Sequence, residues 1–289
     1  MPSPLDLAAP ARKIAAMVAL TLEAARRKQR GTTLGFLAKL ALLAWVLRCL
    51  IVEPFFIPSG SMLPNMAIGD YLFVSKWPYG YSKYSFIGHF PPFAGRLLEQ
   101  LPERGDVVVF KPPGNEGVSF VKRVIGLPGD RVEVRDGVLI LNGVAVPKVP
   151  IGDYAMHISD NSPCRTVGGL APRIVSAPGG GESCLYRAHR ETLPGGRSYT
   201  VLDQYDSPLA DHFWPVIVPA GTVFMMGDNR DDSEDSRFGI AEGGVGFVPV
   251  DHLVGRASFA FWSTDGSASY VKPWTWFSAM RASRLGARY

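Results

Sequence analysis

The sequence predicts a mainly β protein: coiled antiparallel sheets forming one exported domain, preceded by a single N-terminal transmembrane helix. Three observations predict it. Glycine and proline together supply 55 of the 289 residues, which suits a turn-rich body and not a helical bundle. The dipeptides Asp136-Gly137 and Asn142-Gly143 separate short apolar runs, the strongest short-range hairpin signal. One 19-residue apolar stretch, residues 34–52, stands apart near the N-terminus. Hydrophobic residues at 47% and charged ones at 19% exclude a disordered chain. A net charge of +4, with no dense basic stripe beyond the N-terminus, gives no reason to expect a nucleic-acid partner.

Taken in order, residues 1–33 carry Arg12, Lys13, Arg26, Arg27, Lys28 and Arg30 against Asp6 and Glu23. The positive-inside rule assigns such a flank to the cytoplasm. Residues 34–52, at 1.5 Å per residue, would cover roughly 28 Å, about one hydrocarbon core. Lys39 and Arg48 interrupt the stretch, and Arg48 lies near enough to its end to snorkel. A cleaved signal peptide would want a small-x-small site next, but Glu53-Pro54-Phe55-Phe56 follows. A helix lying on the membrane surface is the other alternative. The reading adopted is an uncleaved single span, with a phospholipid membrane as partner and residues 53–270 outside.

In the exported part, Val107–Phe110 and residues 118–125 read as buried strands, each closed by a Pro-Gly turn. Arg131–Arg135, Val138–Leu141 and residues 144–146 read as a meander, and Thr222–Met226 and residues 254–262 as later strands. Residues 147–217, rich in Gly, Pro and Ser, show no clear period and read as an irregular insertion. Cys164 and Cys184 would pair in an oxidising compartment; two free buried thiols are the alternative. Two aromatic clusters suit a membrane interface: Phe55, Phe56, Trp77, Tyr79, Tyr81, Tyr84 and Phe86, and then Trp274, Trp276 and Phe277 in an aromatic and basic tail, residues 271–289, with Arg281, Arg284 and Arg288. Ordinary core aromatics are the alternative for about half of these.

Much familiar chemistry is missing. There is no CxxC, no HExxH, no GxSxG elbow, no phosphate loop and no dinucleotide fingerprint, so neither metal nor cofactor is expected. The acidic loop Gly227 to Arg237 lacks the spacing of a calcium loop and reads as salt-bridged. Two features remain. Ser59-Gly60-Ser61-Met62 sits between Pro58 and Pro64, which stiffen the segment and would fix an exposed serine hydroxyl. Lys122 shares a strand face with Val118, Phe120 and Val124, where it is either a snorkelling edge residue or a buried amine. Burial would lower its pKa enough for it to accept a serine proton near neutral pH. The pair Ser119 and Lys122 mimics the S-x-x-K of penicillin-binding enzymes, and Ser159-Asp160-Asn161 their S-D-N. No K-T-G follows, and an offset of three in a strand points to opposite faces.

Together, Ile57 to Pro64, the run Arg104 to Phe110, the run Val121 to Asp130 and the loop Gly227 to Arg237 resemble the boxes of bacterial type I signal peptidases. Phe247-Val248-Pro249 and Leu253-Val254-Gly255-Arg256 extend the match. The resemblance covers about residues 40–130 and 220–262. It implies a serine–lysine endopeptidase at the bacterial inner membrane, single-pass, that removes signal peptides from exported precursor proteins after Ala-x-Ala-type sites. By motif position Ser61 is the implied nucleophile and Lys122 the general base. Ser59 is the implied oxyanion donor and Ser233 the group that orients the lysine. Asp235 and Arg237 would form a supporting ion pair, and Asp228 and Arg230 would be structural. Phe55, Ile57, Pro58, Met62, Phe120 and Val121 fall where the family lines its substrate pockets. No cofactor is implied.

Two departures stand out. Enteric members carry two spans where one is visible here, and Asn65 stands where the family has threonine. The alternatives are a serine–lysine maturation peptidase dedicated to one substrate, and a non-catalytic, membrane-tethered β domain that binds exported proteins.

Overall fold

The computed structural model describes residues 8–177, 180–269 and 271–289. The chain divides into two units, residues 1–48 and 49–289. The first is one helix, α1 (Ala8–Val46), followed by a wide π turn over Leu47–Ile51. The helix runs unbroken through residues 33 and 34, where the cytoplasmic segment is expected to give way to the span. Gly31 weakens a helix by only about 1 kcal/mol, and Thr32 and Thr33 turn their hydroxyls back onto the Gln29 carbonyl at 2.8 and 2.9 Å. The stretch Ala19–Ile51 is long and apolar enough to cross a membrane, by length and composition. The expected span overshoots by one residue, because Val52 already opens a strand.

The second unit is mainly β. Its strands are β1 (Val52–Phe56), β2 (Asp70–Ser75), β3 (Tyr81–Ser82), β4 (Arg96–Leu97), β5 (Val107–Phe110), β6 (Phe120–Gly126), β7 (Arg131–Arg135), β8 (Val138–Leu141) and β9 (Val144–Ala145). There follow β10 (Lys148–His157), β11 (Arg173–Ser176), β12 (Glu182–Thr192), β13 (Ser198–Leu202), β14 (Phe213–Ile217), β15 (Thr222–Met226), β16 (Val248–Pro249) and β17 (Leu253–Ser263). A curled antiparallel sheet runs β1-β2-β17-β5-β6-β15-β16. The run Val107-Val108-Val109-Phe110 is apolar throughout because β5 is central in that sheet and buried on both faces. A second sheet, β14-β7-β8-β9, folds over β6 and β15, and Val132, Leu139 and Leu141 pack there against Ile125, Phe224 and Met226. Its hairpins turn at Asp136-Gly137 and Asn142-Gly143, where all four residues have φ between 50° and 81°, the conformation those dipeptides favour.

The reading of residues 147–217 as irregular is corrected. β10, β12 and β11 form a sheet that β13 joins through β12, and β14 completes the second sheet. The alternation is hard to read because β10 is exposed along most of its length. Besides Ser183 and Glu191, the buried side chains on β12 are Cys184, Tyr186 and Ala188, which contrast little with their neighbours. Those three, with Met156 and Leu202, pack beneath Leu63 and Ala67 of the Ser61 loop. Cys164 and Cys184 are joined, with Cα atoms 5.8 Å apart.

The aromatic clusters divide. Tyr79 and Tyr84 are core residues, and the Tyr79 hydroxyl donates to Asp106 at 2.9 Å. Trp77, Trp274 and Phe277 are exposed. The expected basic tail turns partly inward: Arg284 is bonded to buried Asp70, with Arg281 beside it. A buried carboxylate needs a cation more than a membrane surface does.

Candidate active site

Ser61 sits on the loop between β1 and β2. The loop is closed at its base by Ile57 N–H to Asp70 O and Gly69 N–H to Ile57 O, both 2.9 Å. Inside it, Leu63 N–H bonds Gly60 O at 3.0 Å and Met66 N–H bonds Met62 O at 2.9 Å. Ile57, Met62 and Met66 are wholly buried in one core cluster, and Leu63 and Ala67 in another. The serine is thus held by apolar anchors on both sides.

Lys122 projects from β6 opposite Val108 of β5. It is 4% exposed, and its Nζ lies 2.9 Å from Ser61 Oγ. The Phe120 ring centroid is 5.4 Å from the same nitrogen. Burial brings the lysine pKa from its ordinary 10.5 down to about 8, against the opposing pull of Asp235, Glu234 and Asp232. A neutral amine at this distance can accept the serine proton near physiological pH.

The acidic loop after β15 encloses the pair from the far side. Arg237 clasps Asp235 with two bonds of 2.9 Å, and Gly227 N–H donates to Asp235 at 2.9 Å. Burial pushes the Asp235 pKa up, but the charge and hydrogen bonds of Arg237 win and hold it below the usual carboxylate range. Arg123, next to Lys122 on β6, pairs with Asp228 at 2.7 and 2.6 Å. Arg230 pairs with Glu191 of β12, its Nη1 at 2.7 Å from the carboxylate. A side chain at position 227 would collide with Ser233 Oγ at 2.1 Å and the Ser61 carbonyl at 2.6 Å, so only glycine fits between the loops. A cleft of about 630 Å³ opens over Ser61 and Lys122. Serine, buried amine and cleft are together competent for acyl transfer through a covalent serine intermediate.

The match to known proteins is extensive. Residues 31–262 fit the family model described as signal peptidase, peptidase S26. A signal peptidase I of Rickettsia typhi (strain ATCC VR-144 / Wilmington) is 34% identical over 267 residues, 84% of this chain and 88% of its own length. One from Rickettsia massiliae (strain Mtu5) is 37% identical over 230 residues, 77% of this chain and 76% of its own. A solved signal peptidase I from Enterococcus faecalis V583 is 25% identical, covering 54% of this chain and 97% of that one, with a TM-score of 0.27. The chain belongs to the signal peptidase family, peptidase S26. It is therefore a hydrolase, a serine endopeptidase, and the family's activity is removal of signal peptides.

Against the expected signal peptidase site, the structure brings most residues together. Phe55, Pro58, Ser59, Ser61, Phe120, Val121, Lys122 and Ser233 line the cleft. Ile57 and Met62 do not; both are fully buried beneath it, where they anchor the Ser61 loop. Ser233 stands at the cleft, but its buried Oγ has no hydrogen-bond partner, so the expected bond to Lys122 is not made in this structure. Ser119 also lines the cleft, because β6 begins only at Phe120 and a strict strand alternation does not apply to it; the lysine is bonded to Ser61 nonetheless. Asn65 answers its own departure: its side-chain amide donates to Asp228 and to the Thr200 carbonyl, both at 2.7 Å.

Three contributors were not singled out from sequence. Asn229 bonds the Ser61 loop directly. Glu191 supplies the partner of Arg230 from the region read as irregular. Arg165, from the same region, lines the cleft. Asn229 could have been suspected from its place inside the acidic loop; Glu191 and Arg165 carry no local signal.

Proposed function

We propose that this chain is a membrane-anchored signal peptidase that cuts exported precursors with Ser61 as nucleophile and Lys122 as general base. The observation that carries the reading is the 2.9 Å contact between a buried lysine amine and the Ser61 hydroxyl. Neutral Lys122 takes the hydroxyl proton as Oγ attacks the scissile carbonyl carbon. The resulting oxyanion is met by the Ser59 hydroxyl and the Ser61 N–H, and one such donor is typically worth about 2.7–4 kcal/mol. Protonated Lys122 then gives its proton to the leaving nitrogen as the C–N bond breaks. A water, deprotonated by Lys122 in turn, hydrolyses the acyl-enzyme.

Shallow apolar lining by Phe55, Pro58, Phe120 and Val121 supports a preference for small residues before the cut, of the Ala-x-Ala kind. The Asp235–Arg237 pair supports the loop behind the lysine, and Ser233, which lines the same cleft, is assigned the orienting of the lysine once a precursor is bound. The apolar part of the helix Ala19–Ile51, preceded by Arg26, Arg27, Lys28 and Arg30, supports a single-pass protein with a cytoplasmic N-terminus and the β unit on the outer face. Protease added to spheroplasts should digest the β unit; protection there would reverse the orientation.

The decisive test is cleavage of an exported precursor bearing an Ala-x-Ala site by purified protein in detergent. Wild type should cut at that bond, while Ser61→Ala and Lys122→Ala should not. Lys122→Arg should also fail, since arginine stays charged at this pH. Near-normal cleavage by Lys122→Ala would remove the dyad.

A further inference from the structure

Arg165 lies outside every box that carries the family resemblance, yet it stands in the cleft with Ser61 and Lys122. Its Nη1 is 2.9 Å from Asp232 Oδ2, and 51% of its side chain is exposed. The backbone beside it is fixed. Cys164 is bonded to Cys184, which is wholly buried in β12, and the Tyr186 hydroxyl on the same strand bonds the Arg165 backbone. The guanidinium is therefore delivered to the cleft from an anchored segment.

The charged wall around it is otherwise acidic. Asp231, Asp232, Glu234 and Glu242 line the same cleft, and its other cation, Lys122, is buried and bonded to Ser61. Among the described residues Arg165 is the exposed cation of the cleft. A guanidinium has five N–H donors, and among the described residues Asp232 is its one ion-pair partner. The apolar lining of Phe55, Pro58, Phe120 and Val121 is assigned above to the small residues before the cut. That leaves the charged wall for the segment that follows it.

We propose that Arg165 is a specificity determinant that reads charge in the precursor just after the cut, admitting a carboxylate there and disfavouring a basic side chain. The proposal rests on the assignment of this cleft to precursor cleavage. With the guanidinium present, an acidic residue meets a cation in the wall. Without it, the wall holds only acids, which repel a carboxylate and attract a lysine.

The test uses full-length protein in detergent and peptides identical except for Glu or Lys at each of the first three positions after an Ala-x-Ala site. The quantity read is the ratio of kcat/KM for the Glu peptide to that for the Lys peptide. At the position Arg165 reads, Arg165→Ala should lower the ratio by up to about fivefold, the range of a partly exposed ion pair. Arg165→Glu should lower it further and speed the Lys peptide above its wild-type rate, a gain that misfolding cannot produce. Arg165→Lys should keep most of the preference, and salt should flatten all ratios. The same ratios are measured as binding of intact peptides to Ser61→Ala protein. A wild type that cut no peptide would count against the dyad, while the binding ratios would still decide Arg165. Equal Glu-to-Lys ratios in wild type, Arg165→Ala and Arg165→Glu at all three positions overturn the proposal.

Discussion

The backbone amide of Asn229 donates to the Ser61 carbonyl at 3.0 Å, and the Asn229 side-chain amide reaches the neighbouring Gly60 carbonyl at 3.1 Å. The acidic loop and the serine loop are thus tied at the one residue whose position the chemistry needs most. Asn229 is itself held from behind, where Gln204 donates to its Oδ1 at 3.3 Å and Leu202 N–H bonds the Asp228 carbonyl at 2.8 Å. Asn229→Ala leaves the Gly60 carbonyl with the Leu63 N–H as its remaining donor, so the lost hydrogen bond costs only about 0.5–1.5 kcal/mol. It also frees Ser61 to move. A displacement near 1 Å at a reacting atom can cost on the order of a hundredfold in rate. We therefore expect kcat to fall by ten- to a hundredfold, by that estimate, with little change in KM. Steady-state kinetics beside a urea denaturation curve would separate the two effects. An unchanged kcat would mean that the apolar anchors alone hold the loop.

Lys122 sets the pH dependence. Burial lowers its pKa to about 8, so kcat/KM should rise with pH through about 8 and level off above it, as the free enzyme loses that proton. The stability consequence has the opposite face. The folded pKa lies below the unfolded one, so the charged amine destabilises the fold at every pH below about 8. The penalty is relieved as pH climbs from 8 towards 10.5. The gap corresponds to about 3 kcal/mol. Lys122→Met should be inactive and more stable than wild type at pH 7 by up to about that amount, the advantage shrinking above pH 8. Denaturation curves at pH 6, 7 and 9.5 check the sign; a variant less stable at pH 7 would mean the lysine is not desolvated.

Ser233 carries a buried hydroxyl without a partner, next to Gly227 and the Ser61 carbonyl. Removing an unsatisfied polar atom costs nothing in hydrogen bonds and relieves about 1 kcal/mol or more of desolvation. If the same hydroxyl steadies Lys122 once a precursor is bound, activity should fall as stability rises. Ser233→Ala is thus expected to raise Tm slightly and lower kcat, though far less than Ser61→Ala does. A variant neutral in both would leave Ser233 no part in positioning the lysine.

Several of these relationships were readable in the chain and several were not, for identifiable reasons. The strands β5, β7, β8 and β15 match the expected residues one for one, because turn residues such as Asp136-Gly137, Asn142-Gly143, Gly221 and Gly227 lie at or near their ends. Ser61 and Lys122 were separable from other serines and lysines only through their neighbours: prolines on one side, an apolar strand on the other. Ile57 and Met62 were misplaced by one layer, since a loop residue that anchors and one that faces substrate are both apolar. The sheet built from β10 to β13 was missed because one of its faces is wet along most of β10, so burial leaves no period there. Long-range partners such as Asp228 with Arg123, 105 residues apart, have no local signature at all.

Asp70 shows how far such pairing extends from the cleft. Its side chain is fully buried and accepts from Arg284 at 2.7 and 2.8 Å, from Ser263 at 2.7 Å and from the Ala67 N–H at 2.8 Å. Arg284 also donates to the Asn65 carbonyl at 2.8 Å, so the two charges close the C-terminal side of the Ser61 loop. Truncating one partner of a buried pair typically costs about 3–5 kcal/mol, because the survivor is left charged and dry. Arg284 keeps 20% of its side chain exposed and Arg281 stands 3.7 Å from the same carboxylate, so Arg284→Ala should fall at the lower end of that range. Asp70→Ala should cost more, since it strips Ser263 and Ala67 of their acceptor as well. Arg284→Ala should also lower kcat more than a surface arginine such as Arg190→Ala, because Asn65 and Ala67 lie within six residues of Ser61. Urea titrations of both variants, with kcat measured well below their midpoints, test the coupling. Loss of stability with an unaltered kcat would confine the pair to holding the C-terminal segment and release the serine loop from its influence.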